Sequence, residues 1–312
     1  MSAVAEVLFY AEEPDPQPWI AALRAALPEA RVHDWAAGGA PVCDYAVCWK
    51  PPAAFFVGQP KLKAILNIGA GADAVLDDAN LPTHVPVVRL DDAGMAGQMQ
   101  EYVAWCALTY MRNMDEYARL QRAAQWLRLP PRARGDYSVG IMGLGVLGRA
   151  VADYLRRMGF PVRGWSASPK FLAGIDCFAG AAGLASFLAG TRMLVCLLPL
   201  TPATRGILCR ATLAQLPRGA ALVNIARGAH MVESDVLELL DDGHLAGAAL
   251  DVFAPEPLAA DSPLWRHPRV VVTPHVSAMT LVGESMAQIA EKIRALERGD
   301  AVAGVIDRAR GY

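Results

Sequence analysis

What this sequence has least of is charge imbalance. Its 29 Lys and Arg nearly cancel 31 Asp and Glu, leaving a formal net charge of −2 over 312 residues. That leaves no broad basic surface for nucleic acid or an anionic membrane. Long apolar runs are missing as well: stretches such as residues 193–200 fall far short of the roughly 20 residues that span a bilayer. The N-terminus lacks a basic segment followed by an apolar core, and Glu12, Glu13 and Asp15 follow soon after. No export signal is read, and a cytoplasmic protein is expected. Cysteine pairs with metal-ligand or redox spacing are absent too. Cys43, Cys48, Cys106, Cys177, Cys196 and Cys209 form no C-x-x-C, and several lie inside apolar runs. Buried free thiols in a reducing compartment are expected, with no metal and no disulfide framework. No internal repeat or low-complexity tract appears. What remains is chain enough for two cored domains and a small-molecule chemistry.

Against that background one stretch stands out. Val139-Gly140-Ile141-Met142 reads as a short buried strand, and Gly143-Leu144-Gly145-Val146-Leu147-Gly148 as a G-x-G-x-x-G turn opening a helix, with Val151, Leu155 and Met158 at helical spacing. The first glycine permits the tight turn, the second lets backbone approach a pyrophosphate, and the third lets helix and strand pack closely. The helix N-terminus then offers N–H groups and a positive dipole end to phosphate. No Gly-Lys-Ser/Thr follows, which argues against an ATPase-type phosphate loop.

The rest of the chain supplies α/β units. Before the glycine turn, residues 6–10 read as a strand opening a sheet at its edge, and residues 19–27 as a helix. Residues 45–49, 64–68 and 85–90 read as further strands, with a helical segment near 60–63. Strands separated by helices imply a parallel sheet. The strand at 64–68 runs into Gly69-Ala70-Gly71-Ala72-Asp73, either a backbone nest for a carboxylate or an ordinary strand-to-helix turn. From Gly97 the pattern changes to a long, largely apolar helix pair through Met99, Val103, Ala107, Met111, Met114 and Ala118, suited to a core or a subunit interface. After the glycine turn, strands at 161–165, 193–198, 220–225, 246–250 and 269–272 complete a doubly wound sheet of six strands. Residues 281–296 form an amphipathic helix that returns to the first domain.

In such a sheet, ligands lie outside the carboxyl ends of the strands. Arg227 follows the strand ending at Ile225, Asp251 and Glu256 follow Leu250, and His275 follows Val272-Thr273-Pro274. Each alone reads as readily as an ordinary surface or loop residue. Together, beside a nucleotide turn, they specify carbonyl reduction. Arg227 can fork a carboxylate and polarise the adjacent carbonyl. His275 can protonate the developing alkoxide, and Glu256 beside it favours the imidazolium. The substrate is then a 2-oxo acid.

Asn224-Ile225-Ala226-Arg227-Gly228, Leu250-Asp251-Val252-Phe253 with Glu256-Pro257-Leu258, Thr273-Pro274-His275 and Leu198-Pro199-Leu200-Thr201-Pro202 with Thr204 together resemble the signatures of the D-isomer-specific 2-hydroxyacid dehydrogenases. The similarity is closest to the bacterial glyoxylate/hydroxypyruvate reductase A group. It extends to Trp49-Lys50-Pro51-Pro52, Gly69–Asp73, Gly94-Met95 ahead of Gln98-Met99-Gln100-Glu101-Tyr102, and Asp307-Arg308-Ala309-Arg310-Gly311-Tyr312. The resemblance implies two Rossmann-like domains: a smaller flavodoxin-like substrate domain from residues 1–97 and 280–312, and a nucleotide domain from residues 98–279 carrying dimerisation helices. It implies catalysis by Arg227, Glu256 and His275, and reduction of glyoxylate and hydroxypyruvate by a homodimer. Trp49, the backbone of Ala70 and Gly71, Arg227 and His275 are implied as substrate-binding, and Leu198, Pro199, Thr204, Ala226 and Asp251 as additions to the cofactor surface.

One departure bears on the cofactor. NAD enzymes usually carry a carboxylate at the end of the second nucleotide-fold strand. Here Gly164-Trp165-Ser166-Ala167-Ser168-Pro169-Lys170 has none, which favours NADPH while leaving NADH possible. The related reductases typically place an arginine where Ala167 stands. Trp165, Ser166, Ser168 and Lys170 are therefore the expected cofactor residues, with Arg163 reaching round as the other way to meet the phosphate. Two rival readings are a dehydrogenase for a bulkier 2-oxo acid such as phenylpyruvate and a nucleotide-sensing binding protein on the same fold.

Overall fold

The computed structural model describes residues 4–71, 73–76, 78 and 80–311. The chain divides into two compact units, one built from residues up to Met95 together with those from Thr280 on, the other from Ala96–Met279.

The first unit holds β1 (Glu6–Ala11), α1 (Gln17–Ala26), β2 (Arg31–Asp34), β3 (Tyr45–Trp49), β4 (Ala64–Asn67), the short α2 (Asp73–Leu76) and β5 (Val87–Arg89). The strands pair in the order β2-β1-β3-β4-β5, all parallel, which is the flavodoxin-like order. β3 and β4 are almost wholly buried apolar runs, as strands covered on both faces must be. β1 therefore lies inside the sheet, not at its edge. The edge is β2, whose Arg-Val-His-Asp sequence buries only Val32 and so lacks the apolar pattern that marks a strand. Residues 60–63 form turns instead of a helix, because Lys63 N donates to Asp44 O at 2.7 Å and draws the segment straight into β4.

The second unit opens with α3 (Met95–Met111) and α4 (Met114–Arg122). It continues through β6 (Val139–Met142), α5 (Val146–Arg157), β7 (Val162–Ser166), β8 (Asp176–Ala179), α6 (Gly180–Ala189), β9 (Met193–Cys196), α7 (Arg210–Leu213), β10 (Ala220–Asn224), α8 (Glu233–Asp241), β11 (Leu245–Leu250) and β12 (Val270–Val272). Seven parallel strands run β12-β11-β10-β9-β6-β7-β8. Chain order reverses on either side of β6, the topological switch point where open sheets bind ligands. The sheet has one strand more than the sequence pattern implies. β8 is that strand, and its partly exposed Asp-Cys-Phe-Ala sequence carries no apolar alternation. Alternate residues feed two cores. Val139, Ile141, Val195 and Val223 pack with Val103 and Ala107 of α3, whereas Met142, Leu194, Cys196 and Leu222 pack with Leu239 and Leu240 of α8 on the other face.

The chain returns to the first unit in α9 (Val282–Glu297), which packs on α1. Lys292 of α9 is buried, and its Nζ reaches Asp91 at 2.8 Å, Arg89 O at 3.1 Å and Ala303 O at 2.5 Å. One ammonium thus joins α9, the end of β5 and the C-terminal segment. Removing one partner of a buried pair leaves the other charge uncompensated, so Lys292→Met should destabilise the protein by about 3 kcal/mol. Chemical denaturation measures this; an unchanged midpoint would show that the brace contributes nothing.

Candidate active site

The three glycines after β6 have three separate constraints. Gly143 sits at φ +112°, and a Cβ there would lie 2.5 Å from Leu197 O. Its N–H donates to Trp165 O at 2.8 Å, so the turn is tied to β7. A Cβ on Gly148 would lie 1.8 Å from Gly143 O, so only glycine lets α5 start this close to the strand end. Gly145 differs. Its φ of −74° suits any residue, yet a Cβ there would meet nothing within 4 Å. The space it leaves lies at the N-terminus of α5, whose first-turn N–H groups have no intrahelical partner. A dinucleotide pyrophosphate fits that cradle, with Leu144, Val146 and Leu147 supplying the surrounding backbone.

At the end of β7, Trp165 is buried with Nε1 donating to Gly180 O at 2.9 Å, and Ser166 Oγ donates to Ser168 O at 2.8 Å. Ala167, Ser168 and Lys170 are exposed. Arg163 is committed elsewhere and does not reach round to this loop. Its Nη2 donates to Ser186 O at 2.7 Å, its Nε to Phe187 O at 3.3 Å, and its guanidinium lies 4.6 Å from the Phe178 ring centroid. After β9, Leu198 is buried, and Thr204 Oγ1 donates to Pro199 O at 2.7 Å, fixing the loop that follows the strand.

Arg227, Glu256 and His275 leave the carboxyl ends of the adjacent strands β10, β11 and β12. Asn224, buried at the end of β10, donates from Nδ2 to Arg227 O at 3.1 Å. The guanidinium of Arg227 is half-buried, and Nη1 donates to Ala226 O at 2.8 Å. Buried His230 has Nδ1 3.1 Å from Arg227 O and Nε2 3.2 Å from Pro199 O, so it spans the loops after β10 and β9. A Cβ on Gly228 would lie 1.9 Å from the Phe253 carbonyl carbon, so the Arg227 and Glu256 loops are pressed together at backbone contact.

Glu256 Oε1 accepts from Phe253 N at 3.0 Å, and Oε2 lies 2.9 Å from His275 Nδ1. A carboxylate can only accept here, so Nδ1 carries the proton of that bond. Nε2 makes no hydrogen bond among the described residues, and both side chains are partly exposed, His275 to 43% and Glu256 to 35%. His275 adopts φ +56°, sparsely populated for a residue with a side chain. Asp251 holds it there. Its carbonyl accepts His275 N at 2.8 Å; its Oδ1 accepts Thr273 Oγ1 at 2.6 Å and Val276 N at 2.9 Å; its Oδ2 accepts Ser277 N at 2.8 Å. The Asp251 carboxylate, expected at the cofactor surface, is thus a strut of the His275 loop. Tyr102 OH lies 2.7 Å from Thr273 Oγ1. Because Thr273 gives its proton to Asp251, Tyr102 is the donor, and burial keeps that hydroxyl protonated by raising it well above its ordinary range.

In the first unit, Trp49 ends β3 with its ring against Gly69, where a Cβ would lie 2.3 Å from Trp49 Cζ3. Ala70 and Gly71 are half-buried in the following turn; Ala72, the next residue of that turn, and Tyr312 of the C-terminal motif lie outside the described residues. Among the described residues, no group of three or more His, Cys, Asp or Glu is placed to hold a metal, and no helix is long and apolar enough to cross a membrane.

A wound nucleotide fold with an arginine, a glutamate–histidine pair and a glycine turn on one edge is the layout of a dinucleotide-dependent oxidoreductase. Residues 104–277 match the family model of the D-isomer specific 2-hydroxyacid dehydrogenase NAD binding domain. Along nearly its whole length the chain is similar to glyoxylate/hydroxypyruvate reductase A of Serratia proteamaculans, at 46% identity over 98% of this chain and 99% of the relative. The reductase A of Escherichia fergusonii is 47% identical over 98% of this chain and 100% of its own. Among solved structures, a D-isomer specific 2-hydroxyacid dehydrogenase from Xanthobacter autotrophicus in complex with NADPH and MES superposes with a TM-score of 0.94 at 43% identity, covering 99% of this chain and 100% of the other. An NADPH-dependent glyoxylate/hydroxypyruvate reductase from Sinorhizobium meliloti, with NADP and sulfate, gives 0.92 at 40% identity and the same coverage. The chain belongs to the D-isomer-specific 2-hydroxyacid dehydrogenase family.

The glycine geometry predicts two different failures. Gly145→Ala should keep the melting temperature yet weaken dinucleotide binding by at least about tenfold, equivalent to ~1.4 kcal/mol, because its methyl occupies only the phosphate cradle. Gly148→Ala should lower the melting temperature. Calorimetric titration beside thermal melts separates the two; a Gly145→Ala variant binding as tightly as the parent would contradict the assignment.

Proposed function

We propose that this protein reduces small 2-oxo acids, glyoxylate to glycolate and hydroxypyruvate to D-glycerate, using NADPH in preference to NADH. The observation that carries the reading is the 2.9 Å contact between Glu256 and His275 Nδ1 on the sheet edge that bears Arg227 and the glycine turn. When bound, NADPH supplies the hydride that reaches the carbonyl carbon. Arg227 forks the substrate carboxylate and draws electron density toward the carbonyl oxygen. His275 Nε2 gives its proton to that oxygen as negative charge develops, and Glu256 stabilises the imidazolium beforehand and fixes the ring. Trp49 and the backbone N–H groups of Ala70 and Gly71 complete the substrate set. The similarity to glyoxylate/hydroxypyruvate reductases supports the substrate class, and the NADPH and NADP complexes of the two solved structures support the cofactor.

The preference for NADPH rests on residues 166–170. No carboxylate is present to repel a 2′-phosphate, and Lys170 is exposed without a hydrogen bond or ion pair among the described contacts. Gly143–Gly148, Trp165, Ser166, Ser168, Lys170, Leu198, Pro199, Thr204 and Ala226 form the cofactor surface. Asp251 acts there through the loop it supports.

The protein works as a cytoplasmic homodimer. Trp105, Leu108, Met114, Trp126 and Leu127 leave large apolar surface exposed on α3, α4 and the segment after them, and Trp126 is 97% exposed. Large apolar side chains left in solvent in that number on one stretch of chain suit burial against a second copy. The six cysteines are free, which suits a reducing compartment.

Following NADPH absorbance with glyoxylate or hydroxypyruvate tests the activity. His275→Ala should lower kcat at least about 100-fold while the Kd for NADPH stays put, and Arg227→Lys should raise KM and lower kcat because the fork is lost. Either variant retaining parental kinetics would contradict the mechanism. Lys170→Glu should raise the KM for NADPH roughly tenfold with little change for NADH; equal effects on both cofactors would remove Lys170 from phosphate recognition.

A further inference from the structure

The turn after β4 is held by a residue to which the proposed reaction assigns no part. Asn67 is the last residue of the strand and is 1% exposed. Its Nδ2 donates twice, to Gly69 O at 3.0 Å and to Gly71 O at 2.8 Å. Its Oδ1 is buried and accepts from no donor among the described residues. A buried acceptor without a partner is a cost, and a leucine of similar shape would avoid it. Apolar packing therefore does not account for an amide at this position; the two donated bonds do.

Those bonds fix the direction of the backbone. A trans peptide sets its C=O and the following N–H on opposite sides. With Gly69 O turned inward to Asn67, the N–H of Ala70 is turned away from the strand end, as an anion nest requires. The Trp49 ring closes on Gly69 from its own side, where a Cβ would come within 2.3 Å of Cζ3. Ile68 N, donating to Cys48 O at 3.0 Å, ties the base of the turn to β3. The turn is thereby held in one orientation before any ligand arrives, which lowers the ordering cost of binding.

We infer that Asn67 is a positioning residue for substrate: by holding the carbonyls of Gly69 and Gly71 inward, it aims the Ala70 N–H at the carboxylate of the 2-oxo acid. The inference rests on the reading of this turn as the substrate-carboxylate site. It places part of the substrate affinity in a side chain that need not touch substrate.

The test is Asn67→Leu in the full-length protein, with Asn67→Ser as a second variant that keeps one hydroxyl donor. Oxamate is titrated into the NADPH-loaded protein by calorimetry, and steady-state kinetics are run with glyoxylate. Asn67→Leu should raise the oxamate Kd and the glyoxylate KM roughly tenfold and change kcat by less than about threefold. The NADPH Kd and the melting temperature should stay near parental values, and Asn67→Ser should fall between parent and Asn67→Leu. Unchanged oxamate Kd and KM would overturn the inference. So would a loss of NADPH affinity and thermal stability in step with oxamate affinity, since a merely structural residue would behave that way. Should Asn67→Leu fail to fold, Asn67→Ser decides on the same readouts. Failure of the functional reading looks different: the parental protein itself would then neither bind oxamate nor oxidise NADPH with glyoxylate.

Discussion

The sheet edge that presents His275 depends on one buried carboxyl group. Asp251 takes hydrogen bonds from Thr273 Oγ1, Val276 N and Ser277 N on its side chain and from His275 N on its carbonyl. A carboxylate with no solvent exposure is tolerable only when its oxygens are satisfied. Here the groups that satisfy them are the backbone and side chains of the segment that carries His275. Satisfying Asp251 and shaping the His275 turn are therefore the same event. That turn includes the left-handed conformation of His275, which an unsupported chain would populate sparsely. Tyr102 extends the support into α3 through Thr273, so the imidazole is referenced to the core.

The same logic recurs in both sheets, with polar groups at or beyond the strand ends tying the next loop. Asn224 and His230 hold the Arg227 loop, Thr204 holds the loop after β9, and Asn67 holds the turn after β4. The candidate residues sit on loops, but each loop is pinned by a buried or half-buried amide, imidazole, hydroxyl or carboxyl one to several residues away. This is how a parallel sheet, whose strands are nearly featureless apolar runs, turns its carboxyl edge into a precise surface.

Much of this was legible in residue order, and the parts that were not share a cause. The glycine turn announced itself because two steric demands, at Gly143 and Gly148, and one open cradle, at Gly145, fall on three fixed positions. The central strands were visible as apolar runs with punctuation. The edge strands β2 and β8 were not, since Arg-Val-His-Asp and Asp-Cys-Phe-Ala owe their extended form to parallel pairing with β1 and β7 and not to their own pattern. Arg227, Glu256 and His275 stand out as candidates because ligands lie outside the strand ends of a wound sheet, and the fold brings Glu256 and His275 into contact. Their supports do not stand out. His230 reads as an unremarkable histidine until the loops after β9 and β10 meet around it, and Asn67 reads as a polar strand end until its two acceptors fold back onto it. Arg163 shows the converse: a cation close in sequence to the cofactor loop is spent on α6 and Phe178.

In the proposed reaction, one edge of one sheet directs hydride and proton to the same carbonyl group. Reducing hydroxypyruvate with 4-deuterated NADPH, in the isotopic form whose label is transferred, and reading the product by proton NMR and chiral chromatography tests this most directly. The expected product is D-glycerate with deuterium at C2 from the cofactor and an unlabelled hydroxyl in light water. Product lacking deuterium at C2, or glycerate of mixed or L configuration, would contradict it.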